Sequence, residues 1–125
     1  MRMAATLQLE SDNLGVIRIS GLLKKSEMDA IQKDAAKELS ANPRAHYNVL
    51  IIVENFQGWE GNVNWGDMSF YAAFGDRMQK IAIVGDPKRE ADFIMFMGGG
   101  IRPSPVKYFP TGQLAQARAW LERQA

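Results

Sequence analysis

Two short runs, Val49-Leu50-Ile51-Ile52-Val53 and Ile81-Ala82-Ile83-Val84, are apolar at every position. Strand side chains alternate between faces, so a strand apolar throughout must be covered on both sides. Each run has the length of a strand rather than a helix, is rich in β-branched residues, and is followed by helix-start signals. A chain built around two such strands is an α/β domain, and the run at 49–53 reads as a central parallel strand.

The flanking sequence supplies the rest of the order. Thr6-Leu7-Gln8-Leu9-Glu10 and Val16-Ile17-Arg18-Ile19-Ser20 alternate at period two around the turn Ser11-Asp12-Asn13, which predicts an antiparallel hairpin. Ser26-Glu27-Met28-Asp29 has a hydroxyl followed three residues later by a carboxylate, a capping pattern. Met28, Ile31, Ala35 and Leu39 then recur at helical spacing until Asn42-Pro43 stops them. A second helix is expected after Asn64, with Trp65, Met68, Tyr71 and Ala72 as its apolar stripe and Gly75 near its end. Asp86-Pro87 opens a third, with Phe93, Phe96 and Met97 facing inward until Gly98-Gly99-Gly100. A strand fits near 106–109, and Thr111 is the expected cap of a last helix bearing Leu114, Ala117 and Leu121. The predicted order is β-β-α-β-α-β-α-β-α in one domain spanning 1–125, with no internal repeat or linker.

Composition narrows the function classes. With 46% hydrophobic residues in 125, the chain can build a full core. Fifteen Lys+Arg against fourteen Asp+Glu leave a net charge of +1, without the field expected of a nucleic-acid binder. There are no cysteines, which excludes disulfides, thiolate metal sites and thiol catalysis. The N-terminal apolar run is too short for a signal peptide and no stretch approaches a membrane span, so a cytoplasmic protein is expected.

The element order carries a resemblance. Val49–Glu54 followed by Phe56-Gln57-Gly58-Trp59, Trp65 opening the next helix, Lys80–Asp86, and Val106–Pro110 with Ala117–Leu121 resemble the SpoIIAA-like family within the STAS group of anti-sigma-factor antagonists. The resemblance covers nearly the whole chain. It implies a STAS-like mixed β-sheet of about five strands with about four helices packed on it, related in architecture to lipid-carrying Sec14-type domains. Regulatory members of the group carry a phosphorylatable serine at the start of the helix after the third strand. In this chain, Asn55 through Met68 contains no serine or threonine, and the first hydroxyl, Ser69, falls inside the expected helix.

The expected contact residues are Phe56, Trp59, Trp65, Met68, Phe96 and Met97. Tryptophan offers large area and one N–H donor, methionine adapts to variable shapes, and Gly58 and Gly61 give the 56–65 loop the freedom to act as a gate. The same side chains can instead cover the end of the core. Glu54 and Asp86 belong at the ends of neighbouring strands, where paired carboxylates can act as acid and base. Asp86, however, has a complete role as a cap, and Glu54 can pair with a basic neighbour. His46 reads as a surface residue. Lys88, Arg89, Arg102 and Lys107 read as solvated charges or a small basic rim, and the triple glycine lacks phosphate-loop spacing.

The expectation is a non-enzymatic binding module without cofactor or metal, holding a small apolar or lipid-like ligand near the 56–68 loop and the 93–97 helix end. The alternative is a regulatory protein-interaction domain of the antagonist type without the usual phosphoserine. An apolar edge also favours a homodimer.

Overall fold

The two alternating segments pair as an antiparallel hairpin, β1 (Ala5–Ser11) with β2 (Leu14–Leu23), Ala5 lying opposite Ile19. The computed structural model describes residues 5–11, 13–44, 46–63, 77–96 and 105–123. From β2 onward the sheet is parallel: β3 (Tyr47–Trp59), β4 (Met78–Gly85) and β5 (Val106–Pro110) follow in spatial order β1-β2-β3-β4-β5. Leu50 at 0% and Ile51 at 2% exposure point to opposite faces and are both covered, as an apolar central strand requires.

Two cores result, one on each face. Ile19, Val49, Ile51, Ile81 and Ile83 meet Met28 and Ile31 of α1 (Lys25–Ala41) and Phe93 of α2 (Glu90–Phe96). On the other face, Val16, Leu50, Ile52, Ala82 and Val84 meet Ala117 and Leu121 of α3 (Leu114–Glu122). These are the three α-helices among the described residues. The helix expected after Asn64, the triple glycine and Arg102 lie outside them.

Helix starts depart from the sequence expectation in two places. Helix α1 begins at Lys25, so Ser26 falls within its first turn, and Lys24 at the N-cap makes no side-chain cap bond. Its N-terminus is capped from a distance, because the Glu60 carboxylate accepts from Lys25 N–H at 3.1 Å. Asp29 instead binds Lys25 Nζ at 3.0 Å. Thr111 is not a helix cap either. It occupies the second position of a turn in which Gln113 N–H donates to Pro110 O at 3.0 Å and Gly112 takes φ +95°. That is a type II turn, whose third position demands positive φ. Asp86 does cap as expected, accepting from Lys88 N–H at 3.0 Å, though the first turn, Pro87–Arg89, is a 3-10 turn.

The sheet itself holds the far end of α3. Asn48 Nδ2 on β3 donates to Leu121 O at 2.9 Å, and Lys80 Nζ on β4 donates to Trp120 O at 3.1 Å and to Arg123 O. A cation at the last carbonyls satisfies orphan acceptors and opposes the negative end of the helix dipole. Lys80→Met, which keeps the aliphatic stem, is therefore expected to cost about 1–2 kcal/mol. Faster amide exchange confined to the C-terminal turn of α3 would check the assignment.

Candidate functional site

Strand β3 extends beyond the apolar run that marks it in the sequence. The segment Phe56–Trp59, expected as loop, remains paired with β2: Ser20 opposes Glu54, Gly21 opposes Phe56, Leu22 opposes Gly58 and Leu23 opposes Trp59. Asn55 and Gln57 are therefore extra residues bulged out of the ladder. Asn55 takes φ 50°, a left-handed value that asparagine tolerates better than most residues. Side chains alternate, so Phe56 would otherwise share the face of Leu50, Ile52 and Glu54. The extra residue at Asn55 turns Phe56 to the opposite face, and the second, Gln57, places Trp59 there with it.

The bulges thus assemble an aromatic cluster against α2. Ring centroids lie 4.7 Å apart for Phe56–Trp59, 4.8 Å for Phe56–Phe93 and 5.0 Å for Trp59–Phe93. These are edge-on or tilted contacts of the kind favoured by aromatic quadrupoles. The Arg89 guanidinium lies 5.2 Å from the Phe56 centroid. Phe93 is fully buried, while Phe56 and Trp59 are half-buried and pack on the core.

Phe93 is also one wall of an apolar cavity of about 80 Å³ between α1 and the sheet. Met28, Ile31 and Leu39 of α1 form its roof, and Ile17, Ile19 and Ile51 form its floor. Tyr47 and Met78 line it as well, as do Leu7 and Leu9 from β1. No polar atom is exposed on its inner surface. Gly15 and Ala35, two small residues among larger neighbours, also contribute lining and help leave the space. A void this apolar stays dry or takes an apolar guest, because water there would lack hydrogen-bond partners.

The structure brings Phe56 and Trp59 together at Phe93, beside the cavity. Trp65, Met68, Met97 and the side chain of Phe96 lie outside the described residues. Helical spacing places Ile31, Leu39 and Phe93 in the core but does not reveal the space between them. The available signal was the pair of small residues, Gly15 and Ala35, at positions facing the same core.

The titratable groups are arranged for structure. Glu54 lies 3.8 Å from Arg18 on an exposed surface, a contact worth little. Asp86 is engaged as a cap, and His46 is exposed. Tyr108 is the perturbed group: burial, then the Asp86 and Glu90 carboxylates, push its phenol up to about 12 against the opposing pull of Arg89. Its hydroxyl donates to Asp86 O at 2.8 Å. Among the described residues, no three His, Cys, Asp or Glu side chains gather as metal ligands. No helix there is long and apolar enough to cross a membrane.

A five-stranded mixed sheet with an N-terminal hairpin, parallel crossovers and a last helix on the opposite face defines an α/β domain of the STAS type. The chain belongs to the SpoIIAA-like family, whose pattern matches residues 14–122. A crystal structure of an uncharacterised protein from Shewanella loihica with a SpoIIAA-like fold superimposes with a TM-score of 0.70 at 17% identity, covering 94% of this chain and 92% of that one. The anti-sigma factor antagonist SpoIIAA in its unphosphorylated form gives 0.60 at 13% identity, covering 97% and 100%. Among curated proteins, none matches the chain.

Proposed function

We propose that the protein is a non-enzymatic binding module that encloses a small apolar or amphipathic ligand in the cavity beneath α1. The observation that carries this reading is the cavity itself, about 80 Å³ with no polar atom on its inner wall. An unfilled space of this kind lowers stability, and a guest that fills it recovers the lost contacts. Phe56 and Trp59 serve the site by holding Phe93, which is both their packing partner and part of the cavity wall.

Native mass spectrometry of freshly purified protein, followed by organic extraction, tests the reading. A bound small apolar species is the expected result. Ala35→Leu, placed on the cavity lining, should abolish its retention while leaving the unfolding midpoint unchanged or higher. An apo mass, together with no stabilisation of the wild-type chain by small hydrocarbons, would count against the proposal. It would favour the regulatory protein-interaction reading, for which Leu9, Leu22, Val63 and Met95 are the exposed large apolar side chains among the described residues.

A further inference from the structure

We infer that this cavity selects small molecules with an apolar part smaller than a benzene ring and a cationic or hydrogen-bond-donating end, an alkylamine rather than a fatty acid. The inference rests on the binding reading above and adds the ligand class. Size comes first. An engineered apolar cavity of about 150 Å³ holds one benzene, and this one measures about 80 Å³. A long acyl chain cannot be buried within that volume.

Polarity follows from the lining. A carboxylate or amide pushed inside would lose its water and find no partner, at a cost of several kcal/mol. The polar end must therefore stay at the mouth. Among the described residues of the lining, Leu9, 42% exposed, and Glu38 are the exposed ones, so the cavity meets solvent between β1 and the C-terminal half of α1.

That mouth is electronegative for two reasons. Glu38 lies in the last turn of α1, which has no basic residue there to offset the negative end of the helix dipole. Asp34, four residues before Glu38, shares its flank of the helix. Glu27, eleven residues before, lies on the same flank but about 16 Å along the axis, too far to add to the field at the mouth. The Glu27 carboxylate accepts from Ala5 N–H at 3.2 Å, which shows that this flank faces β1. Lys33 and Lys37 project from the exposed side of α1, away from the cavity lining. Arg77, which donates to Asn42 O just past the helix end, offsets part of this field. The expected preference is accordingly moderate.

Titrating the full chain with n-butylamine, n-butanol and butyrate at neutral pH and low salt, read by methyl chemical shifts of Ile17, Ile31 and Leu39, tests this. Butylamine should bind roughly tenfold more tightly than butyrate, from one modest attraction and one modest repulsion at an exposed site. The difference should shrink to about twofold or less at 1 M salt and in Glu38→Gln. Equal binding of amine and acid, or tighter binding of the acid, would overturn the selectivity while leaving the binding reading intact. Affinity that keeps rising about fourfold per methylene up to octylamine would overturn the size limit. No shift with any of the three probes would overturn the binding reading and this inference together.

Discussion

Phe93→Ala is expected to lower stability by about 3–5 kcal/mol, the usual cost of deleting a buried phenylalanine. Three features place it at the upper end of that range. The side chain is fully buried and is the shared partner of Phe56 and Trp59, so truncation leaves both rings without their centre. The lost volume adjoins the cavity already present beneath α1, and two voids merged into one are harder to close by relaxation. Finally, α2 is short, Glu90–Phe96, so its docking depends heavily on this one ring. Urea denaturation should show a lower midpoint with little change in slope, and the emission of Trp59 should shift to the red. Phe93→Leu, which keeps most of the volume, should cost about 1–2 kcal/mol. If the alanine variant cost less than the leucine range, Phe93 would not be the anchor of the cluster.

The paired apolar runs carried most of the fold. Covered on both faces, Val49–Val53 and Ile81–Val84 had to lie inside a sheet, and the hairpin and final helix followed from period and turn chemistry. What was not legible depended on contacts distant in the chain. Ser26 looks like a cap by local pattern, but the actual cap is the Glu60 carboxylate arriving from the end of β3. Likewise, Phe56-Gln57-Gly58-Trp59 looks like a loop because its glycine and bulged residues break the alternation, and only pairing with Gly21–Leu23 makes it strand. A cavity leaves still less trace in sequence. Its walls are ordinary core residues, and the space arises from where two small ones, Gly15 and Ala35, happen to face. Phe56 and Trp59 stand out as aromatics beside glycines, but only the two bulges together put both against Phe93: Asn55 turns Phe56 to that face and Gln57 restores the alternation that keeps Trp59 there.

Gly85→Ala should be nearly as damaging, at about 2–4 kcal/mol, and for the opposite reason, overpacking. A Cβ at Gly85 would lie 2.6 Å from the Tyr108 hydroxyl oxygen and 3.2 Å from Val53 Cβ. The first distance is impossible without movement, and Tyr108 cannot swing away without releasing its 2.8 Å hydrogen bond to Asp86 O. Strain and a lost buried hydrogen bond therefore come together. Tyr108→Phe alone should cost about 1–2 kcal/mol. In the double variant the hydroxyl that meets the new methyl is gone, so the two costs should fall short of their sum by about 1–2 kcal/mol. Simple additivity would mean that the backbone, not Tyr108, resists the methyl group. The same hydroxyl gives a pH signature. The phenol ionises at about 12 in the folded chain and near 10 when unfolded, so its contribution is complete below about pH 10 and is lost as pH rises through about 12. Subtracting the Tyr108→Phe curve from the wild-type curve removes the other tyrosines, and the difference should fall only in that alkaline window. This contact ties β5 to the turn that opens α2, the helix that carries Phe93, so loss of Gly85 or the Tyr108 hydroxyl should also loosen the cavity wall formed by Phe93.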